Sequence, residues 1–322
     1  MRPAPAPDAA VRGSTARDAA AVNDRRKSQL DTLAIGLLLA CSMFWGFQQV
    51  LVKVTLDELA PVFQAFVRFA GATLVLWCWC RWRGIPLFAR DGSLRMGLIA
   101  GVLFAIEFAL LFCAMQYSMA SRVTVFAYTA PFWVAVFVPL AVRSERLRPV
   151  QWGGLLLAFL AVVLAFRDGL GRNAPASQAL GDVLALAGGA AWGLTTVVIR
   201  SSASLSRLSA EKLLFYQVAV SSMVLPCLSL VLGEPWVWQW STFTTVSMAV
   251  QVLVGAFVSY LIWMWLLGRY PATRISVFVF LTPVFALLIG STWLAEPVGL
   301  QLVVAVFLVA LGIVLVNRPA RA

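Results

Sequence analysis

An all-α membrane protein of ten transmembrane helices, arranged as two inverted five-helix repeats with both termini in the cytoplasm, is the fold class this 322-residue sequence predicts. Composition, the lengths of the apolar runs and an internal repeat predict it. Apolar residues make up 61% of the chain and charged residues 12%, with a mean hydropathy of +0.88, whereas soluble domains carry about 25% charged residues. Lipid is therefore the main solvent. A net charge of +11 would suggest a nucleic-acid surface in a soluble chain. In a membrane chain the cytoplasmic loops collect Lys and Arg, so the bilayer and not nucleic acid is the expected partner.

In order along the chain, residues 1–30 combine Ala, Pro and charge without apolar periodicity and are expected to form a disordered cytoplasmic tail. The apolar run that follows is longer than the roughly 7–15 residues of a signal h-region, which predicts an uncleaved first anchor. Ten runs are long enough to cross about 30 Å of hydrocarbon at 1.5 Å per residue. They fall near 32–54, 60–80, 96–116, 122–142, 150–166, 181–200, 211–232, 243–268, 272–293 and 298–316. The runs are continuous rather than alternating, so helices and not barrel strands are required.

Charge sets the orientation. With the N-terminus inside, twenty basic residues fall on the cytoplasmic side and four (Lys53, Arg122, Arg167 and Arg172) on the other. Trp77, Trp79, Trp82 and Trp152 near the inner ends, and Trp236, Trp238, Trp240 and Trp293 near the outer ends, match interfacial aromatic belts. The five cysteines, Cys41, Cys78, Cys80, Cys113 and Cys227, all lie in apolar runs and are expected to pack.

The sequence also repeats itself. Trp45-Gly46 followed by Lys53 matches Trp192-Gly193 followed by Arg200 at an offset of 147. Leu59 and Phe66 match Leu208 and Phe215 at 149, and Ala120–Phe126 leading to Pro131 matches Ala272–Phe278 leading to Pro283 at 152. A Glu before a Gln closes each half, as Glu145 with Gln151 and Glu296 with Gln301. Five spans is an odd number, so the second half enters from the opposite face. Inverted repeats are the architecture of secondary transporters, because exchanging the conformations of two similar halves turns a cavity from one side to the other.

These motifs, with Arg68-Phe69 in the second span and Gly153-Gly154 in the fifth, resemble the EamA family of the drug/metabolite transporter superfamily over about residues 32–316. The resemblance implies one repeat over 31–167 and another over 180–317, a central cavity among helices 1–4 and 6–9, peripheral helices 5 and 10, and export of amino acids or other small metabolites from the cytoplasm. A homodimer is left open.

Two ionisable residues lie deep within predicted spans, Arg68 and Glu107. A charge there costs at least about 2.5–3.5 kcal/mol, so each should face the bundle interior and find a partner. Either the two form a static pair or they line a pathway, with Glu107 as a proton-coupling site or the partner of a substrate ammonium. Polar and aromatic residues expected around the same cavity are Trp45, Gln48, Gln49, Tyr128, Trp192, Thr195, Ser259 and Tyr260, with Thr129, Thr282, Gln64 and Gln217 as further candidates. Pro131 and Pro283 withhold a backbone donor one turn on from a carbonyl, which predicts hinges.

Other functions fit less well. A membrane-embedded enzyme needs paired acids, a histidine cluster or a nucleophile with its base, and the chain has no histidine. A non-transporting sensor or subunit would be expected to add a soluble domain. The absence of a Gly-x-x-x-x-Gly-Lys-Ser/Thr loop argues against ATP as the driving force. No cofactor, metal or catalytic residue is expected. A small-molecule substrate and multi-pass residence in the cytoplasmic membrane are.

Overall fold

The computed structural model describes residues 29–117, 123, 126–165, 176–294 and 300–318. Nearly all of the expected tail, the repeat positions Arg122 and Glu296 and the Lys53 side chain lie outside the described residues. Ten helical elements follow one another: α1 Thr32–Thr55, α2 Pro61–Arg83, α3 Leu94–Tyr117, α4 Ala130–Ala141, α5 Pro149–Ala165, α6 Ala176–Ser201, α7 Ala210–Val231, α8 from Thr242 to Arg269, α9 from Ala272 to Leu294, and α10 Leu300–Asn317. Among the described residues six of them, α1, α2, α3, α6, α7 and α8, are long and apolar enough to cross a membrane.

Local chemistry sets the boundaries. Asp31 accepts the amide of Ala34 at 2.9 Å at the start of α1, and Ser209 and Ser241 cap α7 and α8 through the amides of Lys212 and Thr244. Proline opens α2 and α5, where its missing N–H costs nothing. The span expected over 122–142 is regular helix only from Ala130. A turn at Tyr128–Thr129 precedes it, because Pro131 cannot donate to the carbonyl of Ala127. Its repeat counterpart α9 is likewise broken, by a 3₁₀ segment at Val277–Phe280 just ahead of Pro283. The break in α8 has no such signal: Gln251–Ser259 is wound as a π-helix.

Hydrogen bonds join turns at the two ends of the bundle. At the end carrying Thr32, called inner below, Tyr270 donates to Asp31 at 2.9 Å and Lys212 to Asp91 at 2.7 Å. At the outer end, Glu234 accepts the amides of Val62 and Phe63 that open α2, at 3.0 and 2.8 Å, while Trp236 stacks on Phe63 and Phe66.

The most extensive packings each join a first-half helix to a second-half one: α3 to α6 and α7, α2 to α7, α1 to α9, α4 to α6 and α5 to α10. The repeated Trp-Gly pair explains two of them. A Cβ on Gly46 would come within 2.8 Å of Phe285 and 2.7 Å of the Thr282 carbonyl in α9. A Cβ on Gly193 would come within 2.6 Å of Trp133 in α4, and Trp133 and Phe285 are themselves 152 residues apart. Close helix contact therefore needs glycine at both places. Outside, large apolar side chains such as Val183, Met223 and Phe307 are exposed, a surface suited to lipid and not to water. Cys78 and Cys227 are exposed there too, which corrects the expectation that all five cysteines pack. Cys80, two residues on, turns to the other helix face and is buried.

Candidate functional site

A cavity of about 130 Å³ lies among α1, α2, α3, α6, α7, α8 and the turn before α4. Nine of the ten residues expected to line a cavity meet there: Trp45, Gln48, Gln49, Arg68, Glu107, Tyr128, Trp192, Thr195 and Tyr260. Ser259 stands behind the wall, where its hydroxyl accepts the Trp45 indole N–H at 2.8 Å and fixes that ring. Gln217 also lines the cavity. Gln64 does not; it bonds Thr55 and Gln251 in a separate buried network. Thr129 holds the break before α4 by donating to the Phe126 carbonyl at 2.6 Å.

Arg68 and Glu107 share this cavity but form no ion pair with each other among the described residues. Arg68 is 2% exposed and Glu107 5%. The guanidinium lies over three rings, 4.8 Å from Phe69, 4.9 Å from Phe108 and 5.3 Å from Phe112. Cation–π contact of this kind returns about 2 kcal/mol when desolvated, yet among the described residues Nε and Nη2 meet no acceptor. Among the same residues Oε2 of Glu107 meets no donor, and Oε1 of both Gln48 and Gln217 is also unpaired. Buried polar atoms almost always have partners, so these four residues offer hydrogen-bonding capacity that a ligand, ion or water in the cavity could take up.

The remaining walls are aromatic. Trp263 stands between the two repeat tryptophans, its ring 5.6 Å from Trp45 and 5.8 Å from Trp192. Tyr260 meets Trp45 at 6.1 Å and Phe104 at 5.9 Å. Sequence reasoning missed Trp263, Phe104 and Phe108. Spacing could have found them: Phe104, Phe108 and Phe112 lie at four-residue intervals beside Glu107, and Trp263 is one turn past Ser259 and Tyr260.

Below the cavity, a larger vestibule of about 940 Å³ sits at the inner end between Leu33 and Leu37 of α1, the α6–α7 turn and the last turns of α8. Ile199, Met264 and Leu267 border both spaces. Although α8 touches α1 along all three of its segments, that packing is less extensive than the packing of its repeat counterpart α3 on α6.

Beside it is a second buried arginine. Arg200 donates from Nε to Glu145 at 2.8 Å, from Nη2 to the same carboxylate and from Nη1 to the Leu267 carbonyl at 2.7 Å. The other carboxylate oxygen of Glu145 accepts the Thr273 amide at 3.4 Å. The basic residue after the second Trp-Gly pair is thus joined to the acidic residue after the first-half proline.

The chain belongs to the EamA-like transporter family, whose profile matches residues 32–167 and 179–318. It is a multi-pass membrane transporter with a small-molecule substrate and a lipid environment. An uncharacterized transporter of Archaeoglobus fulgidus is 27% identical over 251 residues, 77% of this chain and 85% of that protein. A probable amino-acid metabolite efflux pump of Escherichia coli K12 is 27% identical over 279 residues, 84% of this chain and 91% of the pump. A solved crystal structure shares the fold with a TM-score of 0.75 at 18% identity, covering 90% of this chain and 99% of the other.

Proposed function

We propose that this transporter exports amino acids or closely related zwitterionic metabolites from the cytoplasm by alternating access, and that its substrate binds between Arg68 and Glu107. The observation that carries the reading is two buried side chains, one basic and one acidic, that feel each other electrostatically but form no ion pair, in one aromatic-walled cavity. A carboxylate fits Arg68 and an ammonium fits Glu107, each replacing a missing partner through a charge-assisted bond. The apolar body then rests on Trp45, Trp192 and Trp263. That a relative is named a probable amino-acid metabolite efflux pump supports the same class.

Alternating access follows from two inverted halves. The matched glycine contacts, Gly46 on α9 and Gly193 on α4, support equivalent packing in both. On this reading the vestibule, separated from the cavity by Ile199, Met264 and Leu267, is the route by which the cavity opens at the inner, cytoplasmic end. The Glu145–Arg200 pair and the Glu234 cap on α2 act as the inner and outer latches. The breaks at Pro131 and Pro283 let α4 and α9 bend. Glu107 is the coupling group, binding a proton when it releases the ammonium.

The test is counterflow and efflux by purified protein in proteoliposomes, against a panel of amino acids and cationic drugs, with and without a proton gradient. Saturable amino-acid counterflow is the expected result, and exchange of cationic drugs alone contradicts the zwitterion reading. Glu107→Gln is expected to transport without response to the gradient; an unchanged response removes Glu107 from coupling.

A further inference from the structure

We infer that the inner ends of α5 and α10, together with the start of α9, form a binding site for the phosphate headgroup of an anionic phospholipid, separate from the central cavity and independent of what that cavity carries. Three arginine positions adjoin there. Arg148 precedes the first turn of α5, Arg274 lies in the first turn of α9 and Arg318 follows the last turn of α10. Arg148 donates from Nη2 to the Arg318 carbonyl at 3.2 Å, and Asn317 donates to the Arg274 carbonyl at 3.4 Å, so side-chain bonds tie the three segments together.

Among the described residues neither Arg148 nor Arg274 pairs with a carboxylate, and the charge that acts on Arg274 is that of Arg148, of the same sign. Among the described residues Nη1 of Arg274 is buried without an acceptor. Glu145, the nearby acid of the α4–α5 link, is turned inward and taken by Arg200 and the Thr273 amide. An anion at this surface would relieve the repulsion. The N-terminus of α5, a 17-residue helix, adds its positive dipole end to the same place.

The surface below says which anion. Arg148, Trp152, Leu156 and Leu160 are all exposed and recur every four residues, one stripe of α5. On α10, Arg318, Val314, Leu311 and Phe307 make the matching exposed stripe. Each stripe is a cationic head over an apolar track, the shape complement of an anionic headgroup with its acyl chains. A free phosphate would use only the top of it. Basic pockets between helices at the cytoplasmic surface bind acidic lipid headgroups for the same reason.

The test is native mass spectrometry of the full chain in detergent with phosphatidylglycerol or phosphatidylcholine at equal concentration, and with inorganic phosphate in a separate arm. At least a tenfold preference for phosphatidylglycerol is expected in the wild type, falling to near unity in Arg148→Gln/Arg274→Gln. Arg148→Gln alone, a surface change, should lower it part of the way and stands in if the double variant does not fold. Arg81→Gln/Arg83→Gln, two exposed arginines at the inner end of α2, should leave it unchanged. A wild type without preference, a preference that survives loss of Arg148 and Arg274, or an equal loss in the α2 variant overturns the site. Inorganic phosphate that binds these residues while the lipid does not overturns the assignment to lipid.

Discussion

Two buried arginines divide the labour in this protein. Arg200, at the inner end, has a carboxylate, a carbonyl and a short reach to both halves of the chain. Arg68, in the cavity, is more deeply buried yet keeps two nitrogens without acceptors and rests on aromatic rings. A charge whose partners are all supplied by the fold needs none from a ligand; a charge left incomplete, opposite another left incomplete, is where the proposal puts the substrate. The same comparison separates the two acids, Glu145 saturated and Glu107 not.

The largest effect expected from breaking the comparison is on stability at the saturated pair. Arg200→Gln strands Glu145 in a buried site and should destabilise by about 3–5 kcal/mol, as removal of one partner of a buried pair does. Replacing both by apolar residues of similar size should cost less than either single change, read as thermal unfolding in detergent. Arg68→Gln should do the reverse. Its stability should rise by roughly 1 kcal/mol, the insertion cost of a buried charge slightly exceeding its cation–π return, while the loss of about 1.5–3 kcal/mol of charged hydrogen bonding raises KM about tenfold to hundredfold in counterflow. An Arg68→Gln protein as destabilised as Arg200→Gln would place Arg68 among the structural charges.

The smallest effect sharpens the comparison at the surface. Lys212 donates to Asp91 and, with Ser93, holds that carboxyl well below the usual carboxylate range. A depressed carboxyl contributes stability that is full above its unfolded value of about 3.9 and is lost as the pH falls through the folded one. Unfolding temperature should therefore decline below about pH 4, and Asp91→Asn should flatten that decline slightly, since the pair is partly exposed and screened.

Much of this was legible in the sequence, for identifiable reasons. Apolar run lengths located the helices because the bilayer fixes how long a span must be, and Pro131 announced the break before α4 because a missing N–H cannot be hidden. The π-helix at Gln251–Ser259 carried no signal, having neither proline nor charge. Arg68 and Glu107 stood out as charges among apolar residues, but that they would stay unpaired depends on where Phe108 and Phe112 point. Arg200 and Glu145 were both visible in the repeated motifs. Their meeting was not, since 55 residues separate them and only packing brings the α4–α5 link beneath α6.

Amino-acid derivatives that lack one charge interrogate Arg68 and Glu107 most directly. Inhibition of counterflow is compared for a transported amino acid, its methyl ester and its N-acetyl form, in the wild type, Arg68→Gln and Glu107→Gln. Both derivatives should inhibit the wild type at least about tenfold more weakly, about 1.4 kcal/mol each. Arg68→Gln should cease to discriminate against the ester, and Glu107→Gln against the N-acetyl form. Equal inhibition by all three compounds in the wild type, or discrimination that survives in the matching variant, contradicts a substrate held between these two charges.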